Sequence, residues 1–276
     1  MGGRLIGALA ATVLLSGTAM AQGVAPAVAS AAAPVSLRIP AEEAHQGVAS
    51  DGKHVYAIDN NRIGKYEIAS GRRVAQWTGD RALYPHMNSC TVVARELVCA
   101  ASNYPAVPQT SAVEVFDIDR MTHVRSVSLG LQPGSLTVLE RHQGKWWAVF
   151  ANYDAKGGDP SRDHRYTLLV RMDDQFRQEA AWTFPPELLE RFAPKSCSGA
   201  SWGADGRLYV TGHDRAEVYA LTLPEAGSVL KLEATIPIAT QGQAIDWDSK
   251  TPGRLWSIER GDTVLVASDL RGNIGR

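Results

Sequence analysis

Three of the seven histidines in this sequence lie where short polar segments are predicted to share one rim of the fold. They are His45, His86 and His213. Imidazole is a common ligand of divalent metals and the side chain best suited to proton transfer near neutral pH. Asp154 and Asp214 fall at the same rim and could complete a metal coordination shell or act as acid and base. We therefore predict these five residues as catalytic, and the three histidines also as ligands of one divalent metal ion.

A second group of polar side chains at this rim could bind a substrate. Amides orient hydroxyl and carbonyl groups through hydrogen bonds, and an arginine can hold a carboxylate or phosphate with two parallel ones. The predicted substrate-binding residues are Asn88, Asn103, Tyr104, His164, Arg165, Gln243 and Glu259. His164 and Arg165 belong to a polar insertion at 155–165, and long polar loops are often recognition elements. The alternative is that the rim is polar only because it is wet.

Five repeats position these residues. Each consists of a short apolar strand, a polar turn often containing Asp-Gly, and a second strand with aromatic residues; the repeats lie at 47–60, 89–103, 135–154, 199–214 and 243–260. The corresponding residues of the second strands are Tyr56, Cys99, Trp147, Tyr209 and Trp256, which are 43, 48, 62 and 47 residues apart. A four-stranded propeller blade needs about 40–50 residues. The insertion explains the long third spacing.

Two further alternating segments follow each of the first four repeats, and period-two alternation of this kind is typical of half-buried strands. The fifth repeat is followed by only one such segment, at 263–270, while residues 34–40 offer a strand at the other end of the chain. An N-terminal strand that completes the last blade would close the ring and remove exposed sheet edges. We therefore predict an all-β, five-bladed β-propeller, with one short helix at 185–193.

This architecture explains why the polar residues converge. In an antiparallel hairpin the first strand starts and the second strand ends at the same edge. The residues just before each first strand and just after each second strand therefore meet at one rim of the predicted ring, which is where propellers usually bind ligands.

The chain resembles small secreted β-propeller proteins of the YVTN/SMP-30-like kind over residues 34–270. The resemblance rests on the strand–Asp-Gly–strand hairpins at 50–59 and 204–213. SMP-30-like lactonases have six blades and bind a divalent metal through a Glu/Asn/Asn/Asp set at the channel mouth. The present sequence has five repeats and does not match that set residue by residue. The resemblance therefore implies the fold and not the activity.

The first residues are typical of an export signal. Residues 1–21 comprise a positive start at Arg4, an apolar stretch from Leu5 to Leu15, and a small-x-small cleavage motif that ends at Ala21. The alternative is a buried N-terminal helix. We expect a signal peptide at 1–21, an Ala/Pro-rich tether at 22–33 and a single propeller domain at 34–276. The mature protein would be periplasmic or secreted, with no stable membrane insertion.

The cysteines are interpreted in the light of export, because disulfides persist in oxidising compartments. If 90–99 forms a tight hairpin that turns at residues 94–95, Cys90 and Cys99 face each other as a close cross-strand pair. They then form either a disulfide or two buried thiols. Cys197 is left over, and no Cys/His spacing predicts a structural zinc site.

Composition and motifs restrict the function. The chain has 28 Lys+Arg and 29 Asp+Glu, which argues against a nucleic-acid partner. The Gly-x-Ser-x-Gly elbow, the His-Glu-x-x-His motif and a dinucleotide fingerprint are all absent from the sequence, so we expect no nucleotide cofactor. We predict a hydrolase or lyase that acts on a small polar molecule, carbohydrate-like or lactone-like, with histidine acid/base groups or a bound divalent metal. The alternative is a non-catalytic propeller that binds a small molecule, a glycan or a protein.

Overall fold

The computed structural model describes residues 1–3, 27–28 and 31–273 of the chain. It is an all-β structure built from five blades of four antiparallel strands, one of which carries an additional two-residue parallel strand at its outer edge. The first two strands in chain order are β1 (Ala27–Val28) and β2 (Val35–Pro40). Blade 1 follows with β3 (Gly47–Ser50), β4 (His54–Asp59), β5 (Arg62–Glu67) and β6 (Arg73–Thr78). Blade 2 contains β7 (Met87–Val93), β8 (Glu96–Ser102), β9 (Thr110–Asp117) and β10 (Thr122–Leu131).

The remaining three blades repeat this pattern. Blade 3 contains β11 (Ser135–His142), β12 (Lys145–Ala151), β13 (Leu168–Met172) and β14 (Gln178–Thr183). Blade 4 contains β15 (Gly199–Trp202), β16 (Leu208–Thr211), β17 (Glu217–Thr222) and β18 (Lys231–Pro237). Blade 5 contains β19 (Asp246–Trp247), β20 (Arg254–Glu259) and β21 (Val264–Asp269), and β2 is its fourth strand.

The blades form a closed ring. The innermost strands touch in a circle, β3 to β7, β7 to β11, β11 to β15, β15 to β19 and β19 back to β3. The ring closes because β2 pairs antiparallel with β21, from Val35 opposite Ser268 to Pro40 opposite Val264. The prediction of a five-bladed propeller whose last blade is completed by an N-terminal strand is confirmed.

Hydrophobic cores lie between neighbouring blades. Successive side chains of a strand point to opposite faces, so both faces of each blade contribute to a core. In β4, Tyr56 and Ile58 pack with Phe116 of blade 2, whereas Val55 and Ala57 belong to the core on the other face. The predicted helix is α1 (Pro186–Phe192), with proline in its first turn. It buries Leu188, Leu189 and Phe192 between blades 3 and 4. Packing of this kind fixes the loops at each rim relative to one another.

The N-terminal segment contacts the ring. Residues 4–21 of the predicted signal peptide lie outside the described residues. Within the predicted tether, β1 pairs in parallel with β18, and the buried Ala33 donates its backbone N–H to the oxygen of Pro237 at 2.9 Å. No helix among the described residues is both long enough and apolar enough to cross a bilayer.

The first two cysteines form a disulfide. Cys90 and Cys99 face each other across β7 and β8 with Cα atoms 4.0 Å apart, in the register that the sequence predicts. The thiol of Cys197 is free and buried, and burial raises its pKa to about 12, so it is unreactive at neutral pH.

Candidate functional site

A cavity of about 430 Å³ lies at one rim of the ring. Residues that precede the innermost strands line it, such as Gln46 before β3 and Gln243 before β19. Residues that follow the second strands also line it, such as Asn60 after β4 and Arg260 after β20. The cavity therefore occupies the rim to which the hairpin argument assigned the polar residues.

Five of the predicted site residues line this cavity. They are His86, Asn88, Tyr104, His213 and Gln243. Nine other described residues bring polar or aromatic groups that the prediction did not include: Gln46, Asn60, Arg81, Thr137, Tyr153, Lys156, Lys195, Ser198 and Arg260.

The other predicted residues lie beside the cavity or away from it. His45 is adjacent in sequence to the lining residue Gln46, and its Nδ1 is buried with no partner among the described residues. Asn103 fixes its own loop, since its amide donates to the oxygen of Pro108 at 3.0 Å and accepts from the N–H of Thr110 at 2.9 Å. Glu259 ends β20, just before the lining residue Arg260.

Polar side chains of the insertion at 155–165 pair with one another and with the adjacent Asp154. Asp154 accepts from the backbone N–H of His164 and lies 2.6 Å from Nδ1 of the same residue. The exposed Arg165 pairs with Asp163. These contacts hold His164 and Arg165 within the insertion, outside the lining of the cavity.

The tautomer of His86 is fixed by its neighbours. Asn60 donates its side-chain Nδ2 to Asp59 at 2.8 Å, which turns its Oδ1 toward His86. That oxygen lies 2.7 Å from Nδ1 of His86 and can only accept, so Nδ1 carries the proton. The Asp59 carboxylate is itself held by Arg62 at 2.8 Å. The result is a His86 ring whose Nε2 keeps its lone pair.

His86 is neutral at neutral pH. Burial, followed by the positive charge of Arg260, lowers its pKa to about 4, against the opposing effects of Asp59 and Asn88. The neutral ring can therefore accept a proton on Nε2 over the whole physiological range. An anion bound beside it would offset the charge of Arg260 and make the ring a stronger base.

His213 is held between a carboxylate and a guanidinium. Its Nδ1 donates a hydrogen bond to the Asp214 carboxylate at 2.5 Å. Its Nε2 accepts a hydrogen bond from the Arg260 guanidinium at 3.2 Å. The predicted catalytic pair His213 and Asp214 thus positions the guanidinium of Arg260 at the cavity. Asp214 does not itself line the cavity.

An aromatic wall closes one side of the cavity. The Tyr104 ring lies 4.9 Å from that of His86 and 5.3 Å from that of Tyr153, centroid to centroid. The insertion supports it, because the Tyr104 hydroxyl donates to the oxygen of Lys156 at 3.3 Å. Gly157 adopts a positive φ of 79°, and a Cβ there would come within 2.2 Å of the Tyr104 ring. Only glycine fits this contact.

The lining is cationic. Arg81, Lys156, Lys195 and Arg260 face the cavity, and no Asp or Glu is among the described lining residues. His45, His86 and His213 do not form a metal-ligand cluster within the described part of the chain. The group of His, Cys, Asp or Glu side chains that does bring potential ligand atoms within 4.8 Å of one another is Asp154, Asp163 and His164, outside the cavity.

The lining residues missed by sequence reasoning fall into two kinds. Asn60 and Arg260 directly follow second strands, so the repeat itself contained the signal for them. Arg81 and Lys195 lie on the connections between blades, and Lys156 lies in the insertion. Nothing in the repeat pattern indicates where those loops go, so these cations could not be assigned to the cavity.

Comparisons with known proteins bear on the fold. A scan of protein-family models and a search of curated proteins find no match for this chain. A solved structure of a luciferin-regenerating enzyme is similar with a TM-score of 0.51 and 11% identity, over 84% of this chain and 93% of that one. At that identity the likeness supports the propeller fold alone.

Two further solved structures match with lower scores. The β-propeller domain of Cps50 (Swd1) from Myceliophteria thermophila has a TM-score of 0.43 and 9% identity, over 81% of this chain and 82% of that one. A protein of unknown function from Bacteroides thetaiotaomicron has a TM-score of 0.45 and 15% identity, over 80% of this chain and 58% of that one.

Proposed function

We propose that this protein is an enzyme, a hydrolase or lyase, that acts on a small polar molecule in the cavity with His86 as general base. The observation that carries the proposal is the fixed tautomer of a buried, neutral imidazole in the wall of the cavity. A base must be unprotonated and correctly oriented before the substrate arrives. Burial and the charge of Arg260 keep His86 unprotonated, and Asn60, held by Asp59, orients the ring.

The neighbouring groups suit either reaction. In hydrolysis Nε2 of His86 would take a proton from water as the water attacks, and in elimination it would take a proton from a carbon of the substrate. Both reactions develop negative charge on a substrate oxygen. Arg260 and Lys195 lie in the same lining and can stabilise that charge, because preorganised cations act strongly in a partly desolvated site.

The predicted divalent metal fits this lining poorly. Divalent cations favour carboxylate, amide-oxygen or neutral imidazole ligands. The described lining has imidazole and amide groups but no carboxylate, and its four cationic side chains would repel a divalent cation. The proposed mechanism therefore assigns proton transfer to His86 alone. Metal analysis of the purified protein tests this. Stoichiometric metal in the parent that is lost in His86→Ala would show that the cavity binds a metal and would contradict this assignment.

Replacement of His86 is the direct test. We expect His86→Gln to lower turnover by about 10²-fold or more, the usual contribution of a general base. His142→Gln is the matched control, because that imidazole stacks on Trp202 with ring centroids 4.5 Å apart and does not line the cavity. Thermal unfolding of both variants shows whether the fold survives. Equal turnover in the two variants, in a screen of lactones, esters and glycosides, would refute the proposal.

A binding protein without catalysis is the second candidate. One observation favours it: His213 is engaged by both Asp214 and Arg260, so one of the two histidines that line the cavity has no free nitrogen. In this case His86→Gln would weaken ligand binding modestly, and no product would form from any ligand that binds.

We also propose that the protein is exported to the periplasm or secreted. The Cys90–Cys99 disulfide supports an oxidising compartment. The mass of the protein recovered from its native source tests this directly. A chain that starts at Gln22 is the expected result, and an intact chain that retains Met1 in the cytosol would contradict it.

A further inference from the structure

The positive charge in the cavity is a local feature of the molecule. The whole chain has 28 Lys+Arg against 29 Asp+Glu, so a random sample of its charged residues would be balanced. The described lining instead contains four cations and no carboxylate. Asp59 and Asp214 bond to the lining residues Asn60 and His213 but do not themselves line the cavity.

These cations are also without acidic partners. Many arginines elsewhere in the described chain form ion pairs, among them Arg62, Arg125 and Arg191. None of the four lining cations has a carboxylate oxygen within 4.0 Å among the residues described. Four like charges that face one cavity repel each other, and a bound anion would relieve that repulsion.

The cations differ in depth. Arg260 and Lys195 are half-buried, and Arg260 is already oriented by His213. Arg81 and Lys156 are exposed at the outside of the cavity. The half-buried pair is suited to hold an acidic group directly, and the exposed pair is suited to attract it from solution.

The uncharged part of the lining is suited to hydroxyl groups. Gln243 is only 5% exposed, and its side-chain amide has no hydrogen-bond partner among the described residues. Gln46, Asn88 and Ser198 add further donors and acceptors. Tyr104 lines the cavity with an aromatic ring, which provides apolar surface against which a sugar ring can pack. The side-chain amide of Gln243 opens to the cavity and can pair with a group that brings both a donor and an acceptor, as a sugar hydroxyl does.

We infer that the ligand of the cavity is an acidic sugar, a sugar ring that bears a carboxylate, phosphate or sulfate group. Arg260 and Lys195 would hold the acidic group, Gln243 and its neighbours the hydroxyls, and Tyr104 the ring. This inference rests on the proposed function for the location of the site. It adds the chemical class of the substrate, which the sequence left as carbohydrate-like or lactone-like.

Matched pairs of sugars test the class. Binding of glucuronate is compared with that of glucose, galacturonate with galactose, and glucose 6-phosphate with glucose, by calorimetry on the full chain. We expect at least one acidic member to bind at least about tenfold more tightly than its neutral parent, since a charge-assisted hydrogen bond is stronger than a neutral one. The advantage should shrink as salt shortens the Debye length from about 10 Å at 0.1 M to about 3 Å at 1 M.

Charge-removing variants locate the acidic group. Lys195→Gln and Arg260→Gln should each lower the affinity for the acidic sugar by about tenfold to a hundredfold. The weak affinity for the neutral parent sugar should be nearly unchanged. Lys53→Gln is the matched control, because it removes the same charge from the exposed hairpin turn at the opposite rim of blade 1. It should have no effect.

The outcomes separate this inference from the proposed function. Neutral sugars that bind as tightly as acidic ones would overturn the inference, even if turnover depends on His86. Inorganic phosphate or sulfate that binds as tightly as the acidic sugar would reduce the site to an anion site and overturn the assignment of a sugar. Acidic sugars that bind with the expected salt dependence, together with no turnover of the lactones, esters and glycosides of those sugars, would support the inference and refute the enzyme.

Discussion

A buried pair of acids in the ring makes a sharp prediction for stability. Glu140 of β11 and Asp246 of β19 lie on either side of the Ser201 hydroxyl, at 2.9 Å and 3.2 Å. The one hydroxyl proton is shared between two carboxyl groups, and two negative charges this close in a buried site would repel each other strongly. A proton on one of the two acids removes that repulsion and supplies a second donor. The pair therefore holds at least one carboxylic acid in its neutral form.

The pKa values agree with this geometry. Burial raises the pKa of Glu140 from 4.5 to about 7, against hydrogen bonds from Trp202 and Ser201 that lower it. Burial, followed by the charge of Glu140, raises the pKa of Asp246 well above its ordinary value. A raised pKa means that the folded state holds its proton more tightly than the unfolded state does. The stability contributed by Glu140 is thus complete below about pH 4.5 and is lost as pH rises through about 7.

The size of the effect follows from the same numbers. One pKa unit corresponds to about 1.4 kcal/mol, so a change from 4.5 to about 7 corresponds to about 3 kcal/mol between acidic and alkaline pH. Glutamine imitates the protonated acid. We expect Glu140→Gln to remove most of this pH dependence. The stability of the variant relative to the parent should therefore be higher at about pH 8 than at about pH 5.

Urea unfolding of the parent and the variant at these two pH values measures the difference. The control is Glu190→Gln, which changes an exposed residue of α1 and should follow the parent. The difference between parent and variant isolates the pair from other titrating groups. A variant that loses as much stability as the parent between about pH 5 and about pH 8 would refute the assignment of a shared proton.

Three further predictions concern the cavity and the disulfide. Asn60→Leu removes the acceptor that fixes the His86 tautomer, and we expect kcat to fall about tenfold with KM little changed, measured by steady-state kinetics beside the histidine variant. Gly157→Ala places a methyl group against Tyr104 and strains a backbone with positive φ; ligand affinity should fall and stability should drop by about 1 kcal/mol, and unchanged affinity would contradict the role of this wall. Cys99→Ser opens the disulfide and should cost about 2–3 kcal/mol of unfolding free energy for a loop of this length, which thermal unfolding with and without reductant checks.

The sequence predicted the ring because its signals are local. Period-two alternation and turn residues act over a few positions. The five repeats show these signals at the spacing expected for propeller blades. The odd segment at 34–40 then had one place to pair, and β2 does pair with β21. The register that joins Cys90 and Cys99 followed in the same way from a short hairpin.

Part of the rim was predictable for the same reason. His86, Asn88, His213 and Gln243 line the cavity because they adjoin strands whose ends must meet at one rim. The ends of the strands determine where a residue lies but not which way its side chain turns. Asn103 occupies an equivalent position, yet its amide bonds within its own loop.

By itself, then, the sequence determined the blade, the number of blades and the end of the ring at which polar residues gather, since each depends on near neighbours in the chain. Only the tertiary structure decided the charge of the cavity and the state of its base. Arg81 and Lys195 reach the cavity on connections between blades, and His86 takes its tautomer from Asn60, 26 residues away. Contacts between side chains so far apart in sequence depend on how the blades pack, and no local pattern encodes that packing.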